Sequence, residues 1–158
     1  MNNKAMLETI SMSMVDVTAK PEVYREAKAK GTIKLKPETI RLIREGKVEK
    51  GDPFHVAKVA GILAAKNTSS LIPLCHPLPL TNVEVNLHIV DDSTVEVETT
   101  VKTRAQTGVE MEALVAATVA LLTVWDMTKQ YEKDKRGQYP RTVIQDIRVV
   151  RKLKEEGR

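Results

Sequence analysis

Residues 83–89 read Val83-Glu84-Val85-Asn86-Leu87-His88-Ile89, an uninterrupted alternation of apolar and polar side chains. The same alternation returns in Val95-Glu96-Val97-Glu98, and Asp91-Asp92-Ser93 lies between the two runs. Successive side chains of a strand point to opposite faces, so each run is typical of a half-buried strand, and the short polar segment predicts a hairpin. The sequence therefore predicts an antiparallel sheet with one face in solvent.

The segments before this hairpin predict a strand and two helices. We expect an early strand within residues 23–36 and a short helix over residues 37–44. A second helix should begin at Asp52-Pro53, because aspartate can cap a helix and proline suits its first position. This helix should run through Ala65 and be followed by a loop over residues 67–70.

The rest of the chain completes a mixed pattern of helices and strands. Residues 71–81 contain three prolines and should be extended and irregular. A long helix should run from about residue 108 to 131, with Thr107 and Glu110 at the spacing of a capping box, and residues 143–150 should form a closing strand. This order favours an α+β fold in which helices cover an antiparallel sheet, with the ferredoxin-like arrangement as the expected version.

The centre of the long helix is apolar on nearly every side. Residues 113–125 carry no charge. One sheet face cannot cover such a helix, so we expect it to be buried against a second subunit as well. The uncharged run is shorter than the ~20 residues that a membrane span needs, so we expect no membrane partner.

The composition fits one globular domain over residues 1–158, with residues 1–13 as a loose arm. The formal net charge of +4 is compatible with an anionic ligand or with nucleic acid, and part of it lies in residues 148–158, which suit a solvated face or a frayed tail. Cys75 is the only cysteine, so no internal disulfide can form, and the first residues lack the apolar run of a secretory signal. We therefore expect a cytoplasmic protein.

Charged side chains of the long helix lie only at its two ends. Glu110 and Glu112 open it, where acids suit the helix dipole, whereas Asp126 near its end opposes the dipole. Asp126 and Lys129 share a helix face, so they form either a surface salt bridge or an acid–base couple. Glu112 and Asp126 are about 21 Å apart along a helix, so the two ends serve different sites or meet across a subunit interface.

Two lysines and one histidine are further candidates, each with a structural alternative. Lys50 precedes the helix start at Asp52 and could seat a phosphate, although the Asp52 carboxylate would compete with it. Lys66 suits the far end of the same helix without any function. His76, in the proline-rich loop, is either a packed side chain or a proton donor or substrate ligand. The cysteine and the three histidines show no paired zinc-ligand spacing, so we expect no metal site.

Several blocks of sequence, taken together, resemble one known family. The chain resembles the cyclic pyranopterin monophosphate synthases, the C protein of molybdenum cofactor biosynthesis, over residues 14–150. The blocks that carry the resemblance are Met14-Val15-Asp16-Val17, Lys50-Gly51-Asp52, Ala60-Gly61-Ile62, Leu71-Ile72-Pro73-Leu74-Cys75-His76-Pro77-Leu78, Thr107-Gly108-Val109-Glu110-Met111-Glu112-Ala113-Leu114 and Asp126-Met127.

This resemblance implies a fold, an assembly and a reaction. The family is ferredoxin-like and hexameric, a trimer of dimers with sites near the dimer interface. Its members are lyases. Their substrate, 3′,8-cyclo-7,8-dihydro-GTP, is made by a separate radical enzyme. The family members rearrange this substrate to cyclic pyranopterin monophosphate and release diphosphate. No cofactor is required, although a magnesium ion can accompany the triphosphate. The expected partners are this substrate and further copies of the chain, without nucleic acid.

The resemblance also implies roles for individual residues. Asp126, Lys129 and Lys50 match catalytic positions, the first two for general acid–base work and Lys50 for proton transfer or for charge that builds on phosphate. The matching substrate-binding positions are Leu74, Cys75, His76, Met111, Glu112, Glu110, Lys66, Arg25 and Asp16. Residues 130–140 depart from the family pattern, so no role is carried beyond Lys129.

The implied chemistry suits these residue types. Lys66 and Arg25 would hold the triphosphate, arginine because its fork is bidentate. Glu110 and Glu112 would accept hydrogen bonds from the N–H donors of a guanine-derived ring. Cys75 is expected to line the substrate and not to act as a nucleophile.

Two other functions compete with this one. A basic, ferredoxin-like RNA-binding module would stack bases on aromatic side chains of its sheet, and residues 83–89 and 95–101 contain none. A non-catalytic homologue that binds a nucleotide and regulates would keep the same site residues, so turnover is the property that separates it from an enzyme.

Overall fold

The computed structural model describes residues 11–155. Its elements in chain order are β1 (Val23–Lys34), α1 (Pro37–Arg44), α2 (Pro53–Lys66), α3 (Thr68–Leu71), β2 (Leu80–Asp91), β3 (Thr94–Ala105), α4 (Glu110–Glu132) and β4 (Val143–Glu155). Most of the predicted N-terminal arm, residues 1–10, lies outside the described residues, and residues 11–13 have no regular secondary structure.

The strands form one four-stranded antiparallel sheet in the order β2-β3-β1-β4. The predicted hairpin is confirmed: β2 and β3 pair with Val85 opposite Thr99 and Ile89 opposite Val95. The helices α2 and α4 pack against each other and against this sheet, α2 on β2 and α4 on β1 and β3. This is the ferredoxin-like α+β arrangement, which confirms the predicted fold class.

The two main helices begin in different ways. α2 begins as predicted, because the Asp52 side chain accepts hydrogen bonds from the backbone N–H groups of Phe54 and His55. The capping box predicted for α4 is wrong: its N-cap residue is Val109, which makes no side-chain capping hydrogen bond. The helix begins about two residues later than that spacing assumes, so the Thr107 hydroxyl lies too early in the chain to reach the turn.

One predicted loop is helical in the structure, and the predicted closing strand is longer than expected. The loop expected after α2 is instead a helical turn, α3, because the buried Thr68 hydroxyl donates to the Ala64 carbonyl and the Ile72 N–H bonds back to the Thr68 carbonyl. The closing strand continues to Glu155, so residues 148–155 form a solvated edge strand and not a frayed tail.

The core lies where α4 crosses the sheet and α2. α4 contributes a row of fully buried alanines that allow close packing, and a Cβ on Gly61 of α2 would lie only 3.0 Å from the Ala116 carbonyl oxygen. By length and hydropathy alone α4 could cross a membrane, but half of its apolar window is buried inside the protein. Leu122 remains 51% exposed on the outer side of α4, so the sheet and α2 do not cover this helix completely.

The C-terminal end of α4 is anchored by a buried carboxylate. Glu132 has no exposed surface, and it accepts hydrogen bonds from the Lys36 backbone N–H at 2.9 Å, from the Thr142 hydroxyl at 2.6 Å and from the Thr39 hydroxyl. These bonds join α4 to the start of α1 and to the segment that leads into β4. The sequence pattern did not indicate this anchor.

Candidate active site

The first group of predicted site residues lies at the N-terminal end of α4. A cavity of about 470 Å³ opens there, which we call the N-end cavity. Six of the predicted substrate-binding residues line it: Leu74, Cys75, His76, Glu110, Met111 and Glu112. The fold therefore brings the proline-rich loop before β2 together with the first turn of α4.

Sequence reasoning assigned no substrate-binding role to the other half of this lining. These residues come from the segment before β1, from the proline-rich loop and from the entry to α4: Val15, Val17, Lys20, Leu78, Thr107 and Gly108. Lys20 brings a cation to a cavity whose acids are Glu110 and Glu112. The available signal was its position between Asp16 and Arg25, both of which the family pattern had marked.

His76 holds the proline-rich loop against the N-terminal segment. Its Nε2–H donates a hydrogen bond of 2.7 Å to the backbone oxygen of Val15. With this tautomer, Nδ1 is the acceptor nitrogen. The structural and functional alternatives for His76 are thus compatible, because one nitrogen secures the loop while the ring lines the cavity.

Glu112 is the buried acid of the N-end cavity, with an exposed fraction of 4%. Burial is the main reason that its pKa is raised; a hydrogen bond from its own backbone N–H opposes the shift, and the nearby Glu110 charge adds to it. Burial and then the Glu112 charge also raise the pKa of the Cys75 thiol. A raised thiol pKa disfavours the thiolate, which supports a lining role for Cys75.

Glu110 stands in a different electrostatic environment. Its Oε1 lies 2.6 Å from Nζ of Lys152, which β4 contributes. Burial would raise the pKa of Glu110, but Lys152, the residue's own backbone N–H and the Arg25 charge together lower it. The cavity therefore holds two carboxyls whose pKa values are shifted in opposite directions, lowered for Glu110 by its cationic neighbours and raised for Glu112 by burial.

The second group lies near the C-terminal end of α4, and we call it the lysine–aspartate cluster: Lys50, Asp126 and Lys129. Lys129 Nζ is 2.8 Å from Asp126 Oδ1, and Lys50 Nζ is 3.0 Å from Oδ2 of the same carboxylate. Lys50 also donates to the Asp126 backbone oxygen at 2.9 Å. The cluster borders a shallow cavity of about 350 Å³, lined by Leu122, Trp125, Asp126, Lys129 and Ile144.

Within the cluster the charged forms stabilise one another. Hydrogen bonds from Lys129 and then from Lys50 lower the pKa of Asp126, and Asp126 in turn raises the pKa of Lys129. Because these side chains are about half exposed, solvent screens the pairs. Lys129 is therefore an ammonium near neutral pH and can donate a proton, whereas a base would need a lowered pKa.

Lys50 reaches the cluster because the turn before α2 packs on the last turns of α4. The Tyr131 hydroxyl accepts from the Glu49 N–H at 2.9 Å, and the Gln130 amide donates to the Glu49 carboxylate at 3.0 Å. The sequence alone had suggested a phosphate seat for Lys50 at the start of α2. The structure pairs this lysine with Asp126 instead, across 76 positions of sequence.

Three predicted residues lie outside both groups. Arg25 on β1 donates from its guanidinium to the backbone carbonyls of Ala105 at 3.3 Å and Gln106 at 3.0 Å. Asp16 is exposed, and its carboxylate accepts a hydrogen bond of 2.9 Å from the Thr18 N–H, next to the Val15 and Val17 lining of the N-end cavity. Lys66 borders a smaller cavity of about 190 Å³ between α2 and β2. Within residues 11–155 no carboxylate pairs with Lys66, and no group of three or more His, Cys, Asp or Glu side chains is placed to hold a metal ion.

Both groups lie within a stretch of sequence that defines one protein family. The sequence model of the MoaC family matches residues 14–155, from the segment before β1 to the end of β4. This chain belongs to the MoaC family. The match confirms the resemblance that the sequence blocks had indicated.

Curated relatives of this MoaC family chain match it along nearly their whole length. A relative from Pyrococcus furiosus is 57% identical over 145 residues, which cover 92% of this chain and 92% of the relative. Relatives from Saccharolobus solfataricus and Sulfolobus acidocaldarius are each 54% identical, and the matches cover 90% and 91% of this chain and 95% and 100% of the relatives, respectively. All three carry the name probable cyclic pyranopterin monophosphate synthase.

Proposed function

We propose that this protein is a lyase that converts 3′,8-cyclo-7,8-dihydro-GTP into cyclic pyranopterin monophosphate and diphosphate, an early step of molybdenum cofactor biosynthesis. The observation that carries the proposal is the near full-length match to relatives named for this product. The reaction needs recognition of a purine-derived ring, cations for three phosphates, and proton transfers. Side chains suited to each task lie at the two ends of α4 and on the neighbouring elements.

The N-end cavity suits the purine-derived ring. Its volume of about 470 Å³ falls in the range of small-molecule sites. Glu110 and Glu112 both present carboxyl oxygens that can accept hydrogen bonds from the N–H donors of the ring. Leu74 and Met111 supply apolar walls beside them.

The lysine–aspartate cluster suits the proton transfers. Lys129 would donate a proton as the ammonium, with Asp126 holding it in place. Lys50 would stabilise negative charge that builds on phosphate as the cyclic ester forms. Lys129 could act as a base only after substrate or a second chain displaces the water around it, because loss of solvent lowers the pKa of an ammonium.

The triphosphate must be bound by cationic side chains, and any metal ion would bind together with it. Lys66 and Arg25 would hold the phosphates, as the family resemblance implies. No cofactor is part of the proposal, and a magnesium ion would arrive with the triphosphate. Glu110 is already paired with Lys152, which makes it a poor magnesium ligand.

A composite site between chains would join the two groups. About 21 Å of helix separates Glu112 from Asp126, too far for one small substrate to reach both within a chain. We infer a homohexamer, a trimer of dimers, in which the N-end cavity of one copy faces the lysine–aspartate cluster of another. The outer row of α2 supports assembly, since Val56, Val59 and Leu63 are 46%, 59% and 53% exposed. We expect the protein to be located in the cytoplasm.

Incubation with the cyclised GTP tests the proposal directly. We expect the purified protein to form diphosphate and cyclic pyranopterin monophosphate in equal amounts, followed by a coupled diphosphate assay and by mass spectrometry. Unmodified GTP is the matched control and should release no diphosphate, because it lacks the bond between C3′ and C8. Tight binding of the cyclised GTP without diphosphate release would contradict the proposal and favour a non-catalytic nucleotide-binding protein.

A further inference from the structure

We propose that Lys152 is a positioning residue of this site: from the edge strand β4 it holds the Glu110 carboxylate at the N-end cavity in the orientation that receives the substrate ring. The inference rests on the proposed function, because it takes Glu110 as a substrate-binding residue. The family resemblance had implied no role for any residue after Lys129. Lys152 would therefore extend the site to the last strand of the fold.

The register of the sheet directs Lys152 toward α4. In the β1–β4 ladder Lys152 lies opposite Ala27, which is 1% exposed and belongs to the core beneath the helices. Residues opposite each other in an antiparallel pair point to the same face of the sheet. The Lys152 side chain therefore leaves β4 on the helix side, and its ammonium ends 2.6 Å from Glu110 Oε1.

Gly108 fixes the other side of the same carboxylate. A Cβ placed on Gly108 would lie 2.0 Å from Glu110 Oε2, so the carboxylate occupies space that any other residue would fill with its own side chain. Glu110 is thus held between the bare backbone of Gly108 and the ammonium of Lys152. Orientation of this kind is what a binding carboxylate needs, because a small misplacement of a contacting group weakens substrate positioning.

The other charged groups near Glu110 do not replace Lys152. Arg25 on β1 lowers the pKa of Glu110, but its guanidinium donates to the backbone carbonyls of Ala105 and Gln106. Glu112 on α4 carries the same sign of charge as Glu110.

Lys20 and His76 also line the cavity. Among the described residues, Lys152 makes the one ion pair with Glu110.

Exposure of this pair predicts an effect on activity and little effect on stability. The Lys152 and Glu110 side chains are 66% and 28% exposed, and ion pairs in contact with solvent stabilise a fold only weakly. Lys152→Met, which keeps the side-chain stem, should therefore unfold at nearly the wild-type temperature. Any loss of activity would then come from the freed Glu110 carboxylate.

The test compares Lys152→Met with Arg151→Met, which removes the same charge from the neighbouring position on the opposite face of β4. We expect Lys152→Met to lower kcat/KM for the cyclised GTP about threefold to tenfold, mainly through a higher KM, and Arg151→Met to stay within about twofold of wild type. Lys152→Arg should restore most of the loss, because it again offers a cation to the carboxylate. A merely structural role would not produce this rescue.

The pH profile gives a second readout. Lys152 lowers the pKa of Glu110, so its removal should raise that pKa and protonate Glu110 at a higher pH. The acid limb of kcat/KM should therefore move to higher pH in Lys152→Met. Unchanged KM and an unchanged acid limb in Lys152→Met, or an equal loss in Arg151→Met, would overturn the proposal.

Two further measurements separate this proposal from the proposed function. Gly108→Ala displaces the Glu110 carboxylate without a change of charge. In a protein that already carries Gly108→Ala, Lys152→Met should therefore reduce activity much less than it does in the wild type. Carboxyl NMR with ¹³C-labelled glutamate follows the Glu110 pKa without turnover. No diphosphate from wild type, together with a raised Glu110 pKa in Lys152→Met, would reject the proposed function and keep the pairing. Normal wild-type turnover with an unshifted Glu110 pKa would reject the positioning role alone.

Discussion

Lys129→Ala should reduce kcat on the cyclised GTP by about 10²- to 10⁴-fold, because a positioned general acid contributes a factor of this size. The Lys129 ammonium lies 2.8 Å from Asp126 Oδ1 and is the proposed proton donor, and alanine leaves no group in its place. The fold should survive, since the side chain is 45% exposed and surface pairs stabilise little. Diphosphate release gives kcat, and circular dichroism checks the fold.

Three companion variants sharpen this expectation. Asp126→Ala should reduce kcat by a similar factor, because both lysines of the cluster lose the carboxylate that orients them. Lys129→Arg should also be slow, since arginine keeps the charge but does not give up its proton. Lys47→Ala removes an exposed lysine that pairs with Glu45 and should turn over normally. Wild-type product formation by both Lys129→Ala and Asp126→Ala would contradict the catalytic assignment.

Glu132→Ala should lower the free energy of unfolding by about 3–5 kcal/mol, because each buried donor that loses its acceptor costs about 1–3 kcal/mol and part of this cost is relieved by relaxation. The Glu132 carboxylate accepts from the Lys36 N–H and from the Thr39 and Thr142 hydroxyls with no exposed surface of its own. Alanine would leave these three donors without an acceptor inside the protein. Denaturant titration at one fixed protomer concentration measures the loss, since assembly makes stability depend on concentration.

Two controls for Glu132 isolate the contribution of its hydrogen bonds. Glu132→Gln keeps a carbonyl oxygen that can accept, so it should lose less stability than the alanine variant. Glu45→Ala removes an exposed acid and should change stability by no more than about 0.5 kcal/mol. A loss below about 1 kcal/mol in Glu132→Ala would show that the buried anchor contributes little to folding.

The parts of the fold that depend on local patterns could be predicted from the sequence. The hairpin of β2 and β3 follows from the period of two in its side chains, and the start of α2 follows from Asp52 and Pro53. The α4 helix was predicted, but its first residue was not. Thr107 has the residue type and the spacing of an N-cap residue, whereas the N-cap position is occupied by Val109. Residues 67–70 read as a loop because their polar side chains favour turns, yet Thr68 closes a helical turn with a backbone carbonyl.

The parts that depend on long-range pairs could not be predicted. Lys50 meets Asp126, and Lys152 meets Glu110, through the packing of α2 and the register of β4, and no local pattern encodes either contact. The cavity residue Lys20 was missed, although it lies between Asp16 and Arg25 in the sequence. Family resemblance indicated which residues belong to the site, and the structure adds which of them lie together.

The division of the site between the two ends of α4 has a chemical consequence. Glu110 and Glu112 form one environment with unlike carboxyls, and the lysine–aspartate cluster forms another in which the lysine and aspartate charges support each other. We infer that binding of the ring and the proton transfers are carried out by different copies of the chain. Assembly would then be required for activity and not only for stability.

Complementation between two inactive variants tests this composite site most directly. Glu112→Ala damages only the N-end cavity, and Lys129→Ala damages only the lysine–aspartate cluster. If each site takes one end from each of two chains, random hybrids from equal amounts of both variants should regain up to about one quarter of wild-type activity, because that share of sites pairs two intact ends. Light scattering and native mass spectrometry would verify that hybrid oligomers form. Hybrid oligomers with no more activity than either variant alone, or a wild-type protein that turns over as a monomer, would contradict the composite site.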